Sequence, residues 1–167
     1  MDERLIVRQA TEGDKNAFAH LYTMYKDPLY RYAYFRLGSA EDAEDAVSMC
    51  IVAAYENIYS LRSEKAFKSW IFRILHRCCC AKVKEQSEAA YRAAEEELVT
   101  VAADSDRLSP ELSEAFSVLS DEDRDIVLLA VIAGYNSREI GSMMSLKPAT
   151  VRSRLSRGLA KMRTFLE

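Results

Sequence analysis

The side chains with the most suggestive chemistry lie near the C-terminal end of the chain. Thr150, Arg152, Ser153, Arg154, Arg157 and Lys161 fall within residues 147–166, a stretch that contains no acidic residue. They are interleaved with Val151, Leu155, Leu159, Met162 and Leu166, spaced by four, four, three and four residues, which is the period of one helix face. Arginine can bridge O6 and N7 of a guanine, serine and threonine can meet several base edges, and all of them can bind phosphate. A helix held to its own domain by that apolar stripe is expected to offer this face to a major groove. The bland alternative is a basic helix face that meets only solvent or protein.

Bond-making chemistry is not expected. Only His20 and His76 are present, neither has a Cys/Asp/His set arranged around it for nucleophilic or metal catalysis, and no Gly-rich phosphate loop occurs. The four cysteines are Cys50 and the consecutive Cys78, Cys79 and Cys80, which is no disulfide framework. Neighbouring side chains on a helix diverge by about 100°, so the three cannot easily converge on one ion. His76 and Cys80 are four apart and could share a ligand, but no second pair accompanies them in the sequence. Small apolar filler is the expected role of the cysteines, as it is of Met143, Met144 and Met162, with no metal and no cofactor.

The elements that must carry these residues read as helices throughout. The chain has 167 residues, 49% of them hydrophobic and 29% charged, with five Gly and three Pro, which excludes a disordered or collagen-like chain and argues against many strands joined by tight turns. No apolar run approaches the roughly 20 residues that cross a bilayer, and no signal-type stretch follows residues 1–4, so a cytoplasmic protein is expected.

Charge divides the chain further. Residues 1–60 carry six Lys/Arg against ten Asp/Glu, 61–84 seven against one, 85–125 three against thirteen, and 126–167 seven against two. Two basic blocks separated by an acidic one suggest two contacts with polyanion, the acid acting as spacer or internal screen. The expected architecture is all-α: a helical domain over 1–84, an acidic linker over 85–109, partly helical through its Ala/Glu stretch, and a four-helix helix-turn-helix domain over 110–167. Fully extended, the linker spans at most about 80–90 Å.

In the first domain a helix begins near Glu12, Pro28 interrupts or restarts it, and Gly38 ends it. Ser39 and Asp42 open the next helix, and Ser63 caps a basic amphipathic helix reaching about residue 84. Trp70 is in phase with Phe67, Ile71 and Ile74 and is read as core. In the second domain Ser109-Pro110 and Ser120 with Asp123 start helices, the apolar run 126–133 reads as a core helix, and Asn136 with Glu139 starts another. Only Ser145, Leu146 and Lys147 precede Pro148, which opens the basic helix; a short turn between two helices is helix-turn-helix spacing.

Over residues 10–166 the chain resembles bacterial sigma factors of the sigma-70 family, in the small two-domain extracytoplasmic-function (ECF) group. Residues 134–140 (GYNSREI) and 149–155 (ATVRSRL) resemble the family's second domain, 42–47 (DAEDAV) its clamp-binding helix and 67–74 (FKSWIFRI) its promoter-side helix. The resemblance implies a non-enzymatic promoter-recognition subunit whose partners are core RNA polymerase and promoter DNA; it leaves open an anti-sigma factor as a third. Carried over by matching position, Asp45, Val47, Ser48 and Ile51 are expected near polymerase. Arg62, Ser63, Lys65, Lys68, Arg73 and Arg77 are expected near the −10 element, with a base pocket near Arg62 and Ser63. Arg124, Lys147, Thr150, Arg152, Ser153, Arg154 and Arg157 are expected near the −35 element. The chain departs from the family pattern at residues 48–51 (SMCI), at Ala81, and at Lys147, where a Ser usually caps the recognition helix. Those departures motivate an alternative, a degenerate DNA-binding regulator or interaction protein without productive polymerase contact.

Overall fold

The structure, a computed structural model, describes residues 2–96 and 109–167, and its regular elements are all helical. The first unit contains α1 (Glu3–Thr11), α2 (Lys15–Leu37), α3 (Ala40–Asn57) and α4 (Phe67–Glu96), with 3-10 turns at Ile58–Ser60 and Glu64–Ala66 leading from α3 into α4. Each early helix starts on a side chain that satisfies an otherwise orphan amide: Asp2, Asp14 and Ser39 accept from Arg4, from Asn16 and Ala17, and from Asp42. Gly38 closes α2 in the left-handed region at φ 73°, where a side chain would be strained. The core joins Leu29, Tyr32 and Ala33 of α2 to Phe67, Ile71, Phe72 and Leu75 of α4. The inward positions of α3 include Ala43, Ala46, Cys50 and Ala54, small enough for close helix approach.

Three features differ from expectation. Helix α1 precedes Glu12 and buries Ile6, Val7 and Ala10. Helix α2 runs unbroken through Pro28, because the residues beyond it, among them Leu29, Tyr32, Ala33 and Phe35, are fully packed and tertiary burial outweighs one missing backbone bond. Helix α4 extends to Glu96 instead of ending near residue 84, since an Ala- and Glu-rich stretch needs no apolar period to stay helical.

The second unit contains α5 (Pro110–Ser117), α6 (Asp121–Val131), α7 (Ser137–Met144) and α8 (Pro148–Leu166). Ser109 and Ser120 cap α5 and α6, and Asn136 with Glu139 forms a reciprocal capping box on α7. The core helix at residues 126–133 is α6 and its exit turn, with Ile126, Val127, Leu128 and Leu129 buried. Between α7 and α8, Ser145 takes the left-handed conformation at φ 57° and the Leu146 amide donates to the Gly141 carbonyl at 2.9 Å. A Cβ on Gly141 would stand 2.5 Å from the Leu146 carbonyl oxygen, so the tightness of this turn excludes a side chain there.

The two units also pack on each other, a contact that the picture of domains joined by a linker did not contain. The rings of Phe35 and Phe116 stack with centroids 5.0 Å apart. Arg36, 4% exposed, donates through Nε to Asp125 Oδ1 at 2.5 Å, and the Tyr135 hydroxyl donates to the Ser69 carbonyl.

Candidate nucleic-acid interface

Helix α8 starts at Pro148, whose fixed φ suits a first turn, and Lys147 at its N-cap makes no side-chain cap bond. Val151 and Met162 are buried against the helices behind, and Gly158 lets α8 approach α6 so closely that a Cβ there would lie 3.3 Å from Val127. Leu155 is half-buried; Leu159, expected on the inner stripe, is 39% exposed, because the buried face of α8 runs through Gly158 and Met162 and leaves Leu159 at its edge, on the groove between the units. Lys147, Arg152, Ser153, Arg157 and Lys161 are exposed and Thr150 is half-buried. Arg157 donates to the Ser153 carbonyl one turn back, a bond a phosphate can replace.

Arg154 and Arg124 depart from the expected open surface. Arg154 reaches across to the acidic first turn of α6, with Nη1 2.9 Å from Glu122 and Nε 2.7 Å from Asp123. Hydrogen bonds to Glu122 and Asp123 raise its pKa further. Helical period places Arg154 off the core stripe, but only the fold brings that acidic turn alongside, and it ties the side chain expected to face bases across α6 and α8. Arg124 donates to the carbonyls of Phe116 at 3.1 Å, Leu119 at 3.4 Å and, in the other unit, Arg36 at 3.1 Å; burial lowers its proton affinity.

The other basic block lies on the loop and helix leading out of α3. Arg62, Ser63 and Lys65 are exposed at the second 3-10 turn, where Ser63 accepts from the Lys65 amide at 3.3 Å, and Lys68, Arg73 and Arg77 are exposed along α4. Three of these face the second unit. Lys68 lines an apolar groove of about 630 Å³ between the units, with Phe35, Phe116 and Met162 among its walls. Arg73 and Arg77 line a cleft of about 510 Å³ together with Ser142 and Met143 of α7. Trp70 is partly buried against Phe67, ring centroids 6.0 Å apart.

The expected polymerase contacts lie on α3. Asp45 is exposed and meets Lys82 at 3.3 Å, Ser48 is exposed, Ile51 is half-buried, and Val47 is only 8% exposed. Val47 and Ser48 line a groove between α2 and α3 with Tyr22, Lys26, Tyr30 and Arg31.

The residues that sequence reasoning missed hold the two units together: Arg36, Asp125, Tyr135, Phe35 and Phe116. Burial alone would lower the proton affinity of Arg36, but the Asp125 carboxylate outweighs it and the net shift is upward. Burial pushes the Tyr135 hydroxyl up to about 12. His76 sits beside this pair, its Nδ1 3.2 Å from the Tyr32 hydroxyl and 3.9 Å from Asp125 Oδ1; burial lowers its pKa, Asp125 opposes, and Arg36 and Arg77 lower it further. The sequence hint was a charged residue at the edge of each apolar run: Arg36 after Phe35, and Asp125 before Ile126. With Cys80 added, His76 and Asp125 also form the one group of three metal-ligating side chains among the described residues. Cys50 and Cys79 are buried and burial pushes both thiols up; Cys80 is exposed and so is not the filler expected of it, although partial burial and the neighbouring Asp125 raise its thiol as well.

Two helical units, the second with a helix-turn-helix and a basic second helix, define a nucleic-acid-binding class of protein. Comparison with known proteins narrows the class. Residues 21–88 match the family description "Sigma-70 region 2" and residues 109–162 match "Sigma-70, region 4". The ECF RNA polymerase sigma factor SigW of Bacillus subtilis (strain 168) is 28% identical, the alignment covering 96% of this chain and 94% of that protein. Two solved structures share the fold. CnrH, in complex with the cytosolic domain of CnrY, is 21% identical with a TM-score of 0.71, covering 98% of this chain and 96% of that one. The sigma factor RpoE of Bartonella quintana, in complex with the anti-sigma factor NepR, is 17% identical with a TM-score of 0.74, covering 89% of this chain and 96% of that one. The chain belongs to the sigma-70 family, in its ECF group: non-enzymatic subunits that direct RNA polymerase to promoters.

Proposed function

We infer that this protein reads promoters with two separate faces, and that its two units part when it does so. The observation that carries this reading is α8: Lys147, Arg152, Ser153 and Arg157 stand exposed over a buried Val151 in the second helix of a helix-turn-helix. In this reading Arg152, Ser153 and Thr150 meet base edges of the −35 element, and Lys147 and Arg157 meet phosphate. Arg154 and Arg124 take part only if their present partners release them. Arg62, Ser63, Lys65, Lys68, Arg73 and Arg77 contact the −10 strand, with an unstacked base held near Arg62 and Ser63. Asp45, Ser48 and Ile51, over the packed Val47, meet polymerase. The domain limits proposed are 1–84 and 110–167, although α4 carries the first unit's last helix past residue 84.

Promoter elements about one and a half helical turns apart are separated by roughly 50 Å. In a chain clasped through Arg36 and Asp125, Lys68, Arg73 and Arg77 lie beside the second unit instead of facing open solvent. Separation is therefore part of the reading, and free protein is expected to bind promoter DNA weakly, each contact gaining strength from the other on polymerase. The acidic segment offers a second screen; the side chains of Glu95, Glu96 and Glu97 lie outside the described residues. No helix among the described residues is long and apolar enough to cross a membrane. The proposed compartment is the cytoplasm, where polymerase works. The partners are core polymerase, promoter DNA and, as in the Bartonella quintana neighbour, an anti-sigma factor.

Reconstituted run-off transcription tests this. Core polymerase with the purified chain should select promoters from a random-sequence library, and Arg152→Ala should change the −35 preference. Core polymerase that neither copurifies with the chain nor gains promoter-dependent transcripts from it refutes the reading.

A further inference from the structure

Where α4 meets α6, His76, Cys80 and Asp125 each offer a ligand atom, and the three atoms lie within 4.8 Å of one another. His76 Nε2 stands 3.7 Å from Cys80 Sγ. Bonds of about 2.0–2.1 Å to nitrogen and 2.3 Å to sulfur at a tetrahedral angle would hold those atoms roughly 3.6 Å apart, so this pair is already spaced for one ion. A thiolate, an imidazole and a carboxylate suit Zn²⁺, whereas Ca²⁺ and Mg²⁺ require oxygen donors. We propose that His76, Cys80 and Asp125 bind one zinc-class divalent ion that staples the two units together.

The surroundings fit such a site. The Tyr32 hydroxyl at His76 Nδ1 and the Arg36 guanidinium at Asp125 Oδ1 are the outer partners that fix the direction of an imidazole and a carboxylate. With Nδ1 engaged by Tyr32, Nε2 is the nitrogen turned to Cys80. Exposed Cys80 opens on the cleft lined by Arg73, Arg77 and Ser142, which gives the ion an entry path and room for water as fourth ligand. On binding, the Cys80 thiol gives up its proton to solvent, and the thiolate offsets part of the charge of the ion beside the Asp125 carboxylate, which Arg36 also engages. Because Asp125 belongs to one unit and His76 and Cys80 to the other, the ion must lose a ligand before the units separate. The site itself is independent of the promoter reading; only its effect on transcription rests on that reading.

Titration of the reduced full chain with Zn²⁺, and with Co²⁺ as a coloured probe, tests the site. One equivalent should bind, with a thiolate-to-cobalt charge-transfer band and tetrahedral d–d bands. Cys80→Ser should abolish the charge-transfer band and weaken affinity at least about tenfold, while Cys78→Ser should change neither. Cys80 is exposed, so its serine variant keeps the fold; Asp125→Asn, which also weakens the pairing of Arg36 and leaves it Asp121 alone, serves as the second variant, its folding checked by circular dichroism. Absence of stoichiometric binding, or binding that Cys80→Ser leaves unchanged, overturns the site. If the site holds, Zn²⁺ should raise the unfolding midpoint of the wild type and lower its run-off transcription, both effects vanishing in Cys80→Ser. Metal binding without those two effects retains the site and overturns the staple.

Discussion

Helices α4 and α8 are both amphipathic and basic, yet their charged faces meet different surroundings. On α8 the cations are mostly open, and the one that is not, Arg154, is held by Glu122 and Asp123 of its own unit. On α4 the cations Lys68, Arg73 and Arg77 are exposed but look toward the other unit across a groove and a cleft. One face is partly used up within its unit and the other is shadowed from outside. Period says which residues point away from a helix's own core; it does not say what stands opposite.

Several substitutions break or sharpen that contrast. The largest effect is expected from Val151→Asp, which puts a charge at a fully buried position under the open face of α8 and should cost the second unit at least about 3 kcal/mol, read as loss of its unfolding transition. An unchanged melting curve would remove the support from which the α8 face projects. Asp125→Asn comes next: it leaves the buried Arg36 guanidinium with only the exposed Asp121 carboxylate at 3.4 Å, a loss of up to about 3 kcal/mol if the units stay closed, and less if they part and let water reach Arg36. Small-angle scattering should then show a more extended chain; an unchanged profile would mean that the shadow over α4 does not depend on this pair.

Gly141→Ala should destabilise the second unit by about 1–3 kcal/mol in chemical denaturation, because its Cβ would collide with the Leu146 carbonyl and spread the turn that aims α8. Arg152→Ala should leave melting nearly unchanged and lower discrimination at one −35 base pair by about 1–3 kcal/mol, whereas Lys161→Ala should weaken all DNA alike and reduce the salt slope by about one. The smallest effect, within about 1 kcal/mol, belongs to Glu122→Gln, which loosens Arg154 without removing Asp123. If DNA affinity of the isolated second unit rises in that variant, Arg154 is a restrained reader; if not, it is a structural pin.

Much of the fold is written in local signals. Ser39, Ser109, Ser120 and Asn136 sit three residues before the amides they cap, and each starts a helix as their spacing announced. The missed α1 had such a signal too, in Asp2 followed by Ile6, Val7 and Ala10 at helical spacing. Pro28 misled because its local cost is visible in sequence while the burial of Leu29 and Tyr32 that offsets it is not. Leu159 misled for a similar reason: a regular stripe does not reveal which of its members sit at the edge of the packed face, here one position from buried Gly158.

The sequence by itself determined the helices, their caps, the helix-turn-helix and the two basic blocks, because each depends on residues within about four positions of one another. The tertiary structure alone decided which arginines are open, that Arg36 and Asp125 clasp the two units across 89 residues of chain, and that Asp125 comes beside His76 and Cys80. Those outcomes depend on how far-separated charges meet after the apolar faces have packed. Apolar burial is non-directional, and a one-dimensional pattern does not specify the partners it brings together.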